Sequence, residues 1–312
     1  MAITANAVAE LRKKSGAGMM DCKKVLQETN GDLEESAKLL KERGLAVAAK
    51  KADRITAEGL VDILYDEESN TAAMLEVNAE TDFVTKNETF REFLKNCVKV
   101  IMKEKPADVE ELLTKPFSDG SGNTVGGVLT DLIAQIKENM SIRRFVIVEG
   151  NLDTYIHNKG AIGVIVKADA DATVVADGGF AEFKRNLALQ IASMNPAYIA
   201  RADIPASVIE NEKQQILEDI KEDPANAKKP ENVIEKMVEG RIRKYYETKC
   251  LLEQDYIKED KMTVAEYIAN YGKQAGGEVK VAEFVRFEKG EGLEKREENY
   301  AEEIAKLASG AK

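Results

Sequence analysis

The fold is decided by a strand, a loop and a helix start that read Met74-Leu75-Glu76-Val77, Thr81-Asp82-Phe83-Val84 and Thr89-Phe90-Arg91-Glu92-Phe93. About ninety residues later the plan recurs as the strand-like run Val164-Ile165-Val166 and a helix that opens at Phe180-Ala181-Glu182-Phe183. Both helices continue to an asparagine at the same offset, Asn96 and Asn186. We therefore predict two related strand-strand-helix units that share a core.

The loop differs between the two copies. Where the first has Thr81-Asp82-Phe83-Val84, the second reads Asp171-Ala172-Thr173-Val174, so the scaffold does not require an acid followed by an aromatic. An exposed Phe83 can enter an apolar pocket of a partner as an anchor, and Asp82 can then repel a phosphate or a metal-bound carboxylate beside it. The pattern leaves open the alternative that Phe83 packs into the protein's own core and Asp82 caps the next turn.

Composition narrows the class of protein. The 312 residues give room for two or three domains, and the 44% hydrophobic content indicates a folded chain. No apolar run reaches the roughly 20 residues of a membrane span, and Met1–Glu10 shows no signal-peptide pattern. We expect a cytoplasmic protein without membrane contact, and its three widely separated cysteines suit a reducing compartment.

The same inventory argues against an enzyme. With His157 the only histidine, placed here in a turn, a histidine zinc site or a Ser-His-Asp triad is nearly excluded. There is no glycine-rich phosphate loop, so we expect no cofactor. Glu80 and Asp82 could do acid–base work, but solvated acids are the commoner arrangement among 56 Asp and Glu residues. A net charge of −11 and the absence of tryptophan disfavour direct nucleic-acid binding.

The pattern predicts an α+β architecture with five parts. Residues 1–54 form a three-helix module and linker, residues 55–152 the first core subdomain, and residues 153–206 with 259–290 the second. Residues 207–258 form a projecting antiparallel helical hairpin, and residues 291–312 a C-terminal helix that starts at Glu294. In the first module Met19 and Met20 follow a Gly-Ala-Gly turn, where they suit a partner surface or, alternatively, the module's own core.

Several local predictions can be tested directly. Thr89 and Glu92 form a capping box at the start of the first core helix. Residues 106–125 are a loop, residues 127–140 a helix, and residues 46–52 a mobile helix or an extended tether. The hairpin helices start at Ser207 and Glu231, and they run to about residues 222 and 252.

The chain resembles the translation elongation factor Ts family over essentially its whole length. The matching stretches are Ser15-Gly16-Ala17-Gly18-Met19-Met20-Asp21-Cys22-Lys23-Lys24, Leu75-Glu76-Val77-Asn78, Thr81-Asp82-Phe83-Val84, Ile142-Arg143-Arg144, Met237-Val238-Glu239-Gly240-Arg241, Leu252-Glu253-Gln254 and Phe284-Val285-Arg286-Phe287-Glu288. The first stretch and the strand-loop pair are each long, so chance similarity is not a serious competitor.

The resemblance implies a guanine-nucleotide exchange factor for elongation factor Tu, without chemical turnover of its own. It implies a ubiquitin-associated-like head that packs on the GTPase domain, and a loop, Thr81 to Val84, that intrudes beside the Mg²⁺ site with Phe83 as the wedge. The hairpin resembles the family's coiled-coil or dimerisation element, which leaves a homodimer or a heterotetramer open. Gln190 stands where the family commonly has a histidine that reaches the partner, and glutamine cannot become a cation.

A second class of function competes with this one. A non-catalytic adaptor, with a ubiquitin-associated-like head and a coiled-coil hairpin, would bind partners without changing nucleotide affinity. It predicts that replacing Phe83 by alanine leaves function largely intact, whereas the exchange factor needs Phe83.

Overall fold

The computed structural model describes residues 3–120, 122–226 and 229–294. Within them the chain is α+β, as predicted, with two antiparallel sheets ordered β1-β2-β3 and β4-β5-β6. The strands are β1 Glu58–Asp66, β2 Thr71–Ala79, β3 Met140–Glu149, β4 Leu152–His157, β5 Ile162–Ala170 and β6 Val279–Glu288. The helices are α1 Ala5–Ser15, α2 Met19–Glu28, α3 Leu33–Lys51, α4 Glu88–Glu104, α5 Val109–Thr114, α6 Val125–Ile136, α7 Ala172–Val175, α8 Phe180–Met194, α9 Ala206–Glu222, α10 Glu231–Lys249 and α11 Val264–Ala275.

The two sheets pack face to face, and helices cover their outer faces. One apolar cluster lies between the sheets and includes Val61, Met74 and Ile165. Side chains of a strand alternate between its two faces, so Leu75 in β2 points instead into the cluster beneath α4 and α6, and Val164 in β5 points into the cluster beneath α8 and α11. The order of layers is therefore helix, sheet, sheet, helix, which explains why β2 is buried along its whole length.

An ionic junction closes one end of the contact between the sheets. The fully buried carboxylate of Glu76 accepts hydrogen bonds from Arg143 Nη1 at 3.0 Å, Arg144 Nε at 2.6 Å and the backbone N–H of Gly290 at 2.8 Å. Gly290 adopts φ +68°, and a Cβ there would lie 1.9 Å from the carbonyl oxygen of Ala57. The junction therefore joins β2, β3 and the turn after β6.

The first three helices form a module that rests on the first subdomain. Val8, Leu11, Cys22 and Leu26 make its core. The predicted extended tether is wrong, because residues 46–51 are the last turns of α3. A Cβ on Gly44 would lie 3.3 Å from the Cβ of Ala134 in α6, so the two helices approach closely and the end of α3 is held on the first subdomain.

Four further local predictions need correction, and two of them concern helix ends. Asn87, not Thr89, caps α4, since its side chain accepts the N–H of Thr89 at 2.9 Å. Residues 106–125 contain α5, because Asp108 caps a short helix by accepting the N–H of Glu111. The helix predicted to reach residue 140 ends at Ile136, where the next residue is left-handed.

The fourth correction concerns β4, a strand absent from the sequence-based prediction. His157 is the last residue of β4, and the turn predicted around it is the 3-10 segment Asn158–Gly160. The six-residue strand has a polar pattern, with only Leu152 buried. Its period-2 signal is therefore weak, and the strand is fixed by pairing with β5.

Helices α9 and α10 pack against each other through Ile216, Ile220 and Ile242. The second helix ends at Lys249, and a 3-10 segment, Leu251–Glu253, follows. Leu251 and Tyr256 fall within the hairpin range predicted from sequence, yet they pack in the second subdomain core. The helix predicted from Glu294 onward lies outside the described residues, and the five-part division of the chain stays a prediction.

Candidate functional site

The loop that follows β2 has a rigid base. Val84 is 2% exposed and packs in the first subdomain core. The hydroxyl of Thr81 donates to the carboxylate of Glu138 at 2.9 Å, and Arg91 Nε in α4 donates to the carbonyl oxygen of Thr85 at 2.7 Å. The 3-10 segment Val84–Lys86 then leads into the cap of α4. These contacts from three elements fix the backbone on both sides of the loop's tip.

The tip itself projects into solvent. The side chain of Phe83 is 74% exposed, so the alternative that it packs into the protein's own core is wrong. The carboxylate of Asp82 does not cap the following turn but pairs with Lys86 Nζ at 2.8 Å. An anchored backbone therefore presents an acid and an aromatic ring side by side.

Lys86 controls the electrostatics of the tip. Its ammonium nitrogen also lies 5.0 Å from the centroid of the Phe83 ring, within the range of a cation–π contact. The hydrogen bond from Lys86 holds the pKa of the Asp82 carboxyl below its ordinary value. Sequence reasoning missed Lys86, although an acid and a lysine four residues apart in a helical turn are a recognisable signal.

The carboxylates of Glu80 and Asp82 do not form an acid–base pair. Glu80 accepts the backbone N–H of Asn139 at 2.5 Å and lies 3.3 Å from Arg54 Nη1. Asp82 pairs with Lys86 on the exposed side of the loop, and its lowered pKa keeps it charged at neutral pH. A general acid or base works best with a pKa near the operating pH, so the geometry gives the acid–base alternative no support.

The predicted methionine pair lies on the surface of the head. Met19 is 59% exposed and Met20 is 73% exposed, so the alternative that they form the module's core is wrong. They border a shallow groove together with Ile3, Val8, Arg12, Lys13 and Lys23. The groove combines adaptable apolar side chains with a basic rim, which suits an acidic partner surface.

Gln190 is placed differently from the other predicted site residues. It is fully buried in α8, where its amide nitrogen donates to Gln254 Oε1 at 3.2 Å and to the carbonyl oxygen of Asp255 at 3.1 Å. Its amide oxygen accepts the N–H of Ile257 at 2.9 Å. Gln190 thus lies in the second subdomain, apart from the loop, with its hydrogen bonds made inside the chain. The partner contact carried over for it stays a prediction.

No group of three or more His, Cys, Asp or Glu side chains among the described residues could hold a metal ion. No helix in the described ranges is long and apolar enough to cross a membrane.

These features define a class: an α+β protein with two three-stranded sheets and flanking helices that exposes an Asp-Phe tip on an anchored loop. The model of the family described as Elongation factor TS matches residues 80–291. The chain is 45% identical to Elongation factor Ts of Syntrophotalea carbinolica, over 98% of this chain and 99% of that protein. It is 44% identical to Elongation factor Ts of Clostridioides difficile, over 97% and 98%, and 41% identical to that of Clostridium kluyveri, over 99% of both chains.

The chain belongs to the elongation factor Ts family. Family membership assigns it to the elongation stage of protein biosynthesis. The family resemblance derived from the sequence motifs is thereby confirmed over nearly the full chain.

Proposed function

We propose that this protein is a cytoplasmic guanine-nucleotide exchange factor that binds elongation factor Tu, disturbs its Mg²⁺ site and accelerates release of GDP. It carries out no chemical turnover of its own. The observation that carries the proposal is the 74% exposure of Phe83 beside Asp82 on a loop whose flanks are anchored. Leaving a phenyl ring in water is unfavourable, so a binding role explains a feature that folding does not.

The anchored base gives the loop the stiffness that an intruding element needs. Val84 is held in the core and Thr85 is bound by Arg91, so the tip can push against a partner without folding back. Phe83 would enter an apolar crevice beside the nucleotide, and this would bring the carboxylate of Asp82 close to the groups that hold Mg²⁺. Mg²⁺ requires a near-ideal octahedron of oxygen ligands, and a small displacement of one ligand weakens its hold on the phosphates.

Exchange also constrains the size of the interface. By linkage, the factor must lower the affinity of elongation factor Tu for GDP by the same ratio by which GDP lowers its affinity for the factor. Moving elongation factor Tu from almost fully loaded to almost fully empty requires about 5 kcal/mol of differential binding. One loop is too small to supply this alone, so we propose that the groove at Met19 and Met20 and the second subdomain bind the same partner. Whether a homodimer or a heterotetramer forms through the hairpin is decided by light scattering on the mixed proteins.

The first experiment measures release of a fluorescent GDP from elongation factor Tu by stopped flow. We expect the wild-type chain to accelerate release strongly. The double variant Asp82→Ala, Phe83→Ala should lose about a hundredfold of that acceleration, because truncation of a central anchor is the costliest change in an interface. The matched control is Thr173→Ala, which alters the position of the second repeat that corresponds to Phe83 and should behave as wild type.

Repeating the measurement with Mg²⁺ chelated tests the mechanism separately. Without Mg²⁺ the loop has no ion to displace, so the gap between wild type and the double variant should shrink. Full acceleration by the double variant would keep the exchange activity and remove the loop from it. No acceleration by the wild type, with binding retained, would favour the adaptor alternative, which family membership does not favour.

A further inference from the structure

Lys86 is placed so that one ammonium group touches both functional side chains of the loop. Its Nζ lies 2.8 Å from Asp82 Oδ2 and 5.0 Å from the centroid of the Phe83 ring. Its backbone N–H donates to the carbonyl oxygen of Phe83 at 3.1 Å, and the hydroxyl of Thr85 donates to the carbonyl oxygen of Asp82 at 2.7 Å. The tip is therefore a closed unit in which Lys86 fixes the relative position of carboxylate and ring.

The second repeat shows that a helical turn forms at this place without a lysine. Val174 occupies the place of Val84 and is equally buried, and a helical turn is present there too, although it is the α-helical turn Ala172–Val175 and not a 3-10 segment like Val84–Lys86. In that turn Ala172 stands for Asp82, Thr173 for Phe83 and Ala176 for Lys86. The acid, the aromatic and the lysine are absent together from the second repeat, which still forms a helical turn. Lys86 is therefore associated with the exposed tip and is not needed to form a turn.

We propose that Lys86 is a positioning residue that holds Asp82 and Phe83 in their inserting arrangement before the partner is met. This inference rests on the proposed exchange function. An exposed ring that rotates freely must be ordered when it inserts, and immobilising such a side chain costs about 0.5–1.5 kcal/mol. A ring already held against an ammonium group has lost part of that freedom in the free protein. The same contact places a positive charge beside the ionised carboxylate, which lowers the cost of bringing an acid towards a phosphate-rich site.

The test combines exchange kinetics with a double-mutant cycle. Lys86→Met keeps an unbranched side chain one atom shorter and removes its charge, and Lys86→Arg keeps the charge as the conservative variant. We expect Lys86→Met to lower the rate of GDP release at limiting factor concentration by about fivefold, a size set by one exposed cation–π contact and one exposed ion pair. Lys86→Arg should recover most of it. Lys99→Met, on the exposed side of α4, controls for the loss of one positive charge.

The decisive comparison places Lys86→Met in the Asp82→Ala, Phe83→Ala background. If Lys86 acts through the tip, its removal there should change the rate by less than about twofold, because coupled positions are not additive. An equal loss in both backgrounds would assign Lys86 a role in the turn or in direct partner contact, and it would overturn the inference. So would a Lys86→Met variant with wild-type kinetics.

A measurement on the isolated chain keeps this inference distinguishable from the exchange proposal. The Asp82 carboxyl is titrated by carbon-detected NMR in wild type, Lys86→Met and Lys86→Arg. We expect the pKa to be below its ordinary value in wild type and Lys86→Arg, and to return towards that value in Lys86→Met. An unchanged titration would overturn the contact itself. A wild-type chain that fails to accelerate GDP release would overturn the exchange function, and with it the role in insertion, whatever the titration shows.

Discussion

The turns after the middle strands of the two sheets share a buried valine and differ at their exposed positions. Val84 and Val174 are buried at 2% and 0% exposure. Each turn leads into a helix whose first inward residue is a phenylalanine, Phe90 or Phe180. The exposed pair is Asp82-Phe83 in the first half and Ala172-Thr173 in the second. Buried positions therefore set how each helix packs, and the exposed pair of the first half is free to serve binding.

The middle strands that precede these turns, β2 and β5, also correspond, but they differ at a buried position. Both middle strands carry a register shift, after Glu76 in β2 and after Lys167 in β5. In the first half the residue before the shift is a fully buried carboxylate bound by two arginines. In the second it is a half-buried lysine. The difference between Glu76 and Lys167 lies in the protein interior, so the two halves are not equivalent at this position of the middle strand.

The largest expected effect tests the shared scaffold. Phe90→Ala and Phe180→Ala each remove a buried ring from the core beneath a corresponding helix. We expect each variant to lose about 4 kcal/mol of unfolding free energy, the usual cost of a phenylalanine cavity. Urea unfolding measures both. A cost below about 1 kcal/mol in only one half would break the comparison between the two helices.

The next effect sharpens the difference between the halves. Glu76→Ala leaves Arg143 and Arg144 facing the junction without their carboxylate, and we expect a loss of about 3 kcal/mol of unfolding free energy. Lys167→Ala, at the matching position, should cost less than about 1 kcal/mol because its side chain is half-buried and reaches solvent. Equal costs would show that the ionic junction contributes little beyond ordinary packing.

A smaller effect concerns the way each helix begins. Asn87 caps α4 through its side chain, whereas Gly179 at the start of α8 offers none. Asn87→Ala should therefore lose about 1 kcal/mol of unfolding free energy, and Asn87→Ser should retain most of it. Because Asn87 directly follows the 3-10 segment of the loop, the same variant should also slow GDP release. Reduced stability with unchanged exchange would show that the loop holds its shape without the cap.

The repeat could be predicted from the sequence because large apolar residues that become buried recur there at fixed spacing. Sequence reasoning also identified the Asp82-Phe83 tip, since a difference between two copies of one scaffold marks what the scaffold does not need. It could not decide whether Phe83 is buried, because that depends on the packing of α4 and β2. Sequence reasoning also could not show that the side-chain amide of Gln190 makes its hydrogen bonds with residues 254–257. Those residues are distant in the sequence and come close to Gln190 only in the folded chain.

The errors in the elements have different physical causes. Strand β4 has a single buried residue, Leu152, so its sequence lacks the alternation of apolar and polar residues that would predict a strand. Helix α5 is six residues long and lies between prolines, where turn signals dominate. The true cap of α4 was missed because Thr89 and Glu92 imitate a capping box two residues too late.

The smallest effect probes the first strand of each sheet, where the halves again correspond. Burial raises the pKa of Asp62 in β1 and of Asp153 in β4 above the ordinary value of 3.8. A raised pKa in the folded state means that stability is greatest below the ordinary pKa and declines as the pH rises through the folded value. Asp62→Asn should therefore raise the unfolding free energy at pH 7 by about 0.5 kcal/mol or less, and by nothing at pH 3.

Asp153→Asn should raise the unfolding free energy at pH 7 by less than Asp62→Asn does. The reason is that Asp153 lies 3.1 Å from Arg185 Nε, and the substitution also removes that ion pair. The ion pair is partly exposed, so solvent screens it and its loss offsets only part of the gain. Urea unfolding at pH 3 and pH 7 measures both variants against wild type. A larger gain for Asp153→Asn would mean that the pair with Arg185 contributes nothing, and a gain that persists at pH 3 would show that the effect is one of packing and not of charge.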